Sequence, residues 1–161
     1  MKALIFAFLV LLGGNFGGYG QTIKNIVPMR STCEDVKRIV KVDTCNRELE
    51  FYNLPDERIE ISYSTEDCPK AYLKYWDVPK GIVLSVIRTP KKPILLNELS
   101  LDFKDCEKFK YNNDLQQIGY YCKETGTTYN FIDNYLSYVT YTPTAEDTKL
   151  LRRDKKCKVK N

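Results

Sequence analysis

Arg47-Glu48-Leu49-Glu50-Phe51-Tyr52, then Asn53-Leu54-Pro55-Asp56, then Arg58-Ile59-Glu60-Ile61-Ser62-Tyr63 is the stretch that decides the fold. Polar and apolar side chains alternate on both sides of a turn-forming Asn-Leu-Pro-Asp. A period of two marks a strand with one buried face. It puts Leu49 and Phe51 on one side of the first strand and Ile59, Ile61 and Tyr63 on the inward side of the second, so the two form a hairpin. The same signal recurs downstream. After Gly81, Ile82-Val83-Leu84-Ser85-Val86-Ile87 is the most strand-prone run in the chain. Ile118–Cys122, a turn at Glu124-Thr125-Gly126 and Thr128–Ile132 predict a second hairpin, and Tyr135–Tyr141 closes the sheet.

Upstream the period changes. Ile26-Val27-Pro28-Met29 reads as an extended lead-in to a short helix. Ser31 with Glu34, or equally Thr32 with Asp35, has the spacing of a capping box. Val36, Ile39 and Val40 then share an apolar face, while Lys37 and Arg38 stay in water. Lys92–Leu99 reads as a short helix or an extended loop, and Thr142-Pro143-Thr144 leads into a terminal helical turn ending near Leu151. The expected fold is α+β: an antiparallel sheet with one or two short packed helices in a single disulfide-stapled domain.

Residues 1–20 carry Lys2, an apolar run from Ala3 to Leu12 and a glycine-rich exit at Gly18-Tyr19-Gly20. That is the layout of a secretory signal peptide, with Gln21 as the mature start. The run is too short to cross a bilayer, which takes about 20 apolar residues. Residues 21–161 then form one exported domain of ordinary size with a basic C-terminal tail, secreted or periplasmic, and no linker or repeat divides them.

Six cysteines remain after the leader: Cys33, Cys45, Cys68, Cys106, Cys122 and Cys157. An even set in an exported chain predicts disulfides, and the absence of CxxC spacing argues against a redox or zinc motif. The set considered first is Cys33–Cys45, Cys106–Cys122 and Cys68–Cys157. Histidine is absent, which removes Ser-His-Asp and Cys-His nucleophile systems and histidine-containing zinc sites. No GxGxxG or Walker loop is present, and no cofactor is indicated. Residues 149–160 carry seven basic side chains against one acidic, Asp154. Such a tail could meet an anionic partner. The blander reading, a solvated terminus tied down by Cys157, is preferred, and nucleic acid is disfavoured.

Twelve tyrosines is a high count. Tyr72, Tyr75 and Trp76 form the densest aromatic cluster and are the candidate binding residues, suited to a protein or sugar surface. The competing reading makes them a plug at the edge of the core. Tyr135 and Tyr141, at alternating strand positions, read as sheet-face packing. Asp102, Asp105, Glu107 and Asp114 lack the spacing of a calcium loop, so no metal site is assigned. No motif selects the opposed carboxylates that a glycosidase needs, and no catalytic residue is assigned.

Four segments together resemble a family of small exported proteins of unknown function from soil-type Gram-negative bacteria, particularly Acidobacteria: IVPMRSTCEDVKRIV (26–40), YNLPDERIEISYSTEDC (52–68), WDVPKGIVLSV (76–86) and YVTYTPTAEDTKLLR (138–152). The resemblance implies export and one compact domain, and no reaction. The first segment also resembles the opening of the small-protein-A/BamE-type envelope domain, which implies helix-then-sheet topology and a scaffolding or inhibitor-type role. Two residues more separate Met29 from Thr32 than in that motif. Lys41, Val42 and Asp43 replace its glycine and proline, and the lipidation cysteine is missing. The expected function is a non-enzymatic interaction or structural module of the cell envelope, with an envelope protein or polysaccharide as partner. A small carboxylate-dependent hydrolase acting on envelope polysaccharide is the second reading.

Overall fold

The computed structural model describes residues 25–42, 48–71, 74–111 and 116–152. The leader, Cys45, Tyr72, Asp114, Cys157 and the tail beyond Arg152 lie outside them. In chain order the elements are α1 (Cys33–Val40), β1 (Leu49–Asn53), β2 (Glu57–Tyr63), β3 (Lys70–Ala71), β4 (Lys74–Trp76), β5 (Val83–Pro90), β6 (Glu107–Lys110), β7 (Gln117–Cys122), β8 (Thr127–Ile132), β9 (Tyr135–Tyr141) and β10 (Leu151–Arg152).

Seven strands make one sheet in the order β1-β2-β5-β9-β8-β7-β6, and every neighbouring pair is antiparallel. Antiparallel neighbours need only tight turns, and the sequence supplies them. Leu54 N–H donates to the Glu57 carbonyl at 2.9 Å in the β1–β2 turn. Asp133 and Asn134 both take positive φ, 51° and 68°, between β8 and β9, the backbone of a two-residue hairpin turn that suits Asp and Asn. Strands β10, β4 and β3 form a second, small antiparallel sheet.

The expected α+β fold is corrected to a mainly β one, 44% strand and 14% helical among the described residues. Helix α1 is the only α-helix among the described residues, and it buries only Val36 completely, a contribution of about 2 kcal/mol. Its N-cap is Thr32, not Ser31: Asp35 N–H donates to Thr32 Oγ1 at 3.2 Å, and Thr32 N–H donates to Asp35 Oδ2 at 2.9 Å. Ser31 is used elsewhere, accepting from Val27 N–H at 2.8 Å and fixing the lead-in. The two other helical candidates shrink to 3₁₀ turns, Leu96–Glu98 and Glu146–Leu150. Turns this short present no helical face. The layer over the sheet is therefore α1, the lead-in and the extended connection from β5 to β6.

Residues paired across neighbouring strands point to the same face of a sheet. The covered face carries Tyr52, Ile59, Ile61, Tyr63, Val86, Arg88, Val139, Tyr141, Tyr129 and Tyr120. Leu49 and Phe51 do share a side, but it is the outer one, where they are 38% and 59% exposed. Tyr52, the next residue after Phe51, takes the inward place opposite Ile59. The core has two clusters under this one face. Ile26, Val36, Ile59, Ile61, Tyr63, Val83 and Val86 fill one end. Ile94, Phe131, Leu136 and Val139 fill the other, with Phe103, Tyr120 and Tyr129 against them. Phe103 stacks on Tyr120 at 4.5 Å between ring centroids and meets Tyr129 edge-on at 5.3 Å. A third cluster of Met29, Val78 and Ile82 lies beside the small sheet. Cys106 and Cys122 are disulfide-bonded, as the sequence reading proposed, and the bridge ties the start of β6 to the end of β7. Cys33 and Cys68 are disulfide-bonded as well. Cys45 and Cys157 lie outside the described residues, and so does the pairing of those bridges.

Candidate ligand site

Between the two main clusters the covered face turns polar. Glu57 opens β2 on the inward side, two residues before Ile59. Arg88 sits on β5 opposite Ile59, and Val139 of β9 lies opposite Arg88 on its other side. Tyr129 of β8 faces Val139, and Tyr141 follows on β9. Four adjacent strands thus set Glu57, Arg88, Tyr141 and Tyr129 side by side.

Arg88 Nε donates to Glu57 Oε2 at 2.8 Å, and Nη2 lies 2.7 Å from the same oxygen. Nη1 donates to the Tyr141 hydroxyl at 3.3 Å. The two charged side chains are only 12% and 9% exposed. Burial by itself would favour a neutral guanidine, but Tyr141 and Glu57 outweigh it and hold the Arg88 pKa above its ordinary value. Burial also pushes the Tyr129 hydroxyl up; Tyr141 adds to the effect and Arg88 partly offsets it. Tyr129 therefore stays a neutral donor at physiological pH.

These groups line one side of a cavity of about 350 Å³. Its remaining walls are Pro90, Ile94, Leu99, Leu101, Leu136 and Val139, with Glu98 and Ser100 on the β5–β6 connection. An apolar concavity with a few convergent polar groups is the usual form of a small-molecule site, and this volume lies at the small end of the common range of about 300–1,000 Å³. The connection is held in place as a roof: Leu96 N–H donates to the Asn134 carbonyl, Leu136 N–H donates to the Ile94 carbonyl, and Glu98 Oε2 accepts from Leu95 N–H at 2.9 Å.

A second polar group lies at the β1 end of the same face. The Tyr52 hydroxyl donates to Glu50. Burial first, then Glu50, pushes Tyr52 up to about 12. Burial and the neighbouring Tyr52 raise Tyr63 as well, and its hydroxyl is buried without a hydrogen bond. None of these three residues lines the cavity beside Arg88.

The aromatic residues singled out from sequence are placed elsewhere. Tyr75 and Trp76 are neighbours on β4, so their side chains leave on opposite faces of the small sheet. Trp76 packs against the cluster of Met29, Val78 and Ile82. Tyr72 lies outside the described residues. Tyr141, read as sheet packing, lines the cavity, whereas Tyr135 is 45% exposed on the other face. In the acidic stretch, Asp102 is taken up by Lys104, whose N–H and Nζ reach it at 3.0 and 2.9 Å. Among the described residues no group of three or more His, Cys, Asp or Glu is placed to hold a metal ion, and no helix is long and apolar enough to cross a membrane. Sequence reading missed Glu57, Arg88 and Tyr129. Extending the inward parity of Ile59 back by two and of Val86 forward by two finds Glu57 and Arg88.

Comparison with family models, curated proteins and solved structures gives no match.

Proposed function

We propose that the chain is an exported, non-enzymatic binding module and that the cavity beside Arg88 receives its ligand. The observation that carries this reading is a nearly buried Glu57–Arg88–Tyr141 network on the wall of a largely apolar cavity. Burying an ion pair costs several kcal/mol of desolvation and gains little stability over a well-packed apolar pair. A polar cluster at such a place, facing empty volume, suits recognition. Hydrolysis has weaker support. The two carboxylates that line the cavity are both engaged, Glu57 by Arg88 and Glu98 by the Leu95 N–H. A leader-like N-terminus and disulfide bonds suit a secreted or periplasmic setting.

The test is a titration of the disulfide-intact protein with Nile red, a neutral dye that fluoresces in apolar surroundings. Saturable one-site binding is expected, and it should weaken strongly in Leu101→Asp. Leu101 lines the cavity and is 41% exposed, so this change alters the mouth without disturbing the core. Binding unchanged by Leu101→Asp, or no saturable binding, would remove the cavity as the site.

A further inference from the structure

We propose that the cavity selects an uncharged amphiphile, an apolar chain carrying a head group that both donates and accepts hydrogen bonds, such as an alcohol or a primary amide. This inference rests on the cavity being the ligand site and adds the class of ligand.

The charges on the polar wall cancel. Arg88 and Glu57 form one ion pair, and the tyrosines are neutral. A guanidinium has five N–H donors. Arg88 uses its Nε–H and one from Nη2 on Glu57, and one from Nη1 on Tyr141. Two remain. The Tyr141 hydroxyl accepts from Arg88, so its own proton is free to donate. The Tyr129 hydroxyl has no hydrogen-bond partner among the described residues. Glu57 Oε1 accepts nothing from them either, since both Arg88 contacts fall on Oε2. The sheet-side wall therefore offers several donors and one carboxylate acceptor, with no net charge of its own; the remaining charge, Glu98, lies on the exposed rim.

A carboxylate head would find donors but would be desolvated beside Glu57, with Glu98 adding a second negative charge at the exposed rim. An ammonium head would be desolvated beside the Arg88 guanidinium. Either brings an unpaired charge against a nearly buried ion pair that already neutralises itself, and an unpaired buried charge is costly. A hydroxyl or amide can accept from Arg88 or a tyrosine and donate to Glu57 with no such cost. The walls supply the rest of the contact through Ile94, Leu99, Leu136 and Val139.

The experiment is displacement of Nile red at neutral pH by four ten-carbon probes: decanol, decanamide, decanoate and decylamine. Decanol and decanamide should bind at least about tenfold more tightly than either charged probe, a difference of about 1.4 kcal/mol. Equal or tighter binding of decanoate or decylamine, still abolished by Leu101→Asp, would overturn the neutral-ligand assignment and leave the cavity intact as a site. Displacement by none of the probes, with dye binding insensitive to Leu101→Asp, would overturn the cavity reading itself. Glu57→Gln provides a second arm. With Arg88 unmasked, decanoate should gain at least about tenfold relative to decanol; an unchanged ranking in a variant with native circular dichroism would count against the proposal. The wild-type ranking decides the matter even where that variant fails to fold.

Discussion

Replacing Glu57 by Gln would leave the Arg88 guanidinium nearly buried and facing an amide. Breaking a buried pair by removing one partner costs about 3–5 kcal/mol, because the remaining charge is uncompensated. Here the side chains keep 12% and 9% of their exposure, and Tyr141 still accepts one hydrogen bond from Arg88. The lower end, about 3 kcal/mol, is therefore expected for Glu57→Gln. Arg88→Met should cost a similar amount, since it leaves the nearly buried Glu57 carboxylate without its cation. The double variant has no charge at either position. It should recover at least about 2 kcal/mol relative to the sum of the single changes, the non-additivity of directly contacting groups. Urea denaturation of the disulfide-intact proteins measures all four corners of this cycle. Single losses below about 1 kcal/mol that simply add would mean a solvated surface pair and would refute the electrostatic description of the cavity wall.

Gly126 adopts φ +61°, and a Cβ there would collide with the Thr142 carbonyl oxygen; Gly81 has φ +83° but open space around it. Gly126→Ala should therefore cost about 3 kcal/mol and Gly81→Ala only about 1 kcal/mol, as read from denaturation midpoints; the reverse order would contradict the turn geometry. Tyr52 has its pKa raised to about 12, so the folded state holds this proton more tightly than the unfolded state does. The resulting stability is fully present below about pH 10 and is lost as pH rises towards 12. Absorbance at 295 nm should show several late-titrating tyrosines, and the late amplitude should fall by one tyrosine in Tyr52→Phe. Trp76→Ala should lower the thermal midpoint, because Trp76 packs on Met29, Val78 and Ile82; an unchanged midpoint would return it to the set of candidate anchors.

The parts of the fold legible in sequence are those where one strand face is uniformly apolar. Ile59, Ile61 and Tyr63 on β2 show this, and so do the hairpins built from β7, β8 and β9. Strand β6 was hidden because Glu107-Lys108-Phe109-Lys110 is an edge strand whose charges protect it from further pairing, and in sequence it reads as a polar loop. The aromatic segment before Trp76 became two short strands because its partners, Leu151 and Arg152, come from the far end of the chain. The same non-locality concealed the site. Glu57 and Arg88 are 31 residues apart, and although strand parity marks each as inward, nothing local says that the two meet. Tyr129 and Tyr141 carry the same inward parity as ordinary packing residues, so only the cavity in front of them distinguishes their role.

The most direct measurement of the central claim is an amide nitrogen–proton NMR titration of the disulfide-intact protein with decanol. The largest shifts should fall on Leu99, Tyr129, Leu136, Val139 and Tyr141, with Arg88 side-chain signals moving in step. Shifts centred instead on Tyr75 and Trp76, or scattered over no contiguous part of the covered face, would contradict a ligand site in this cavity.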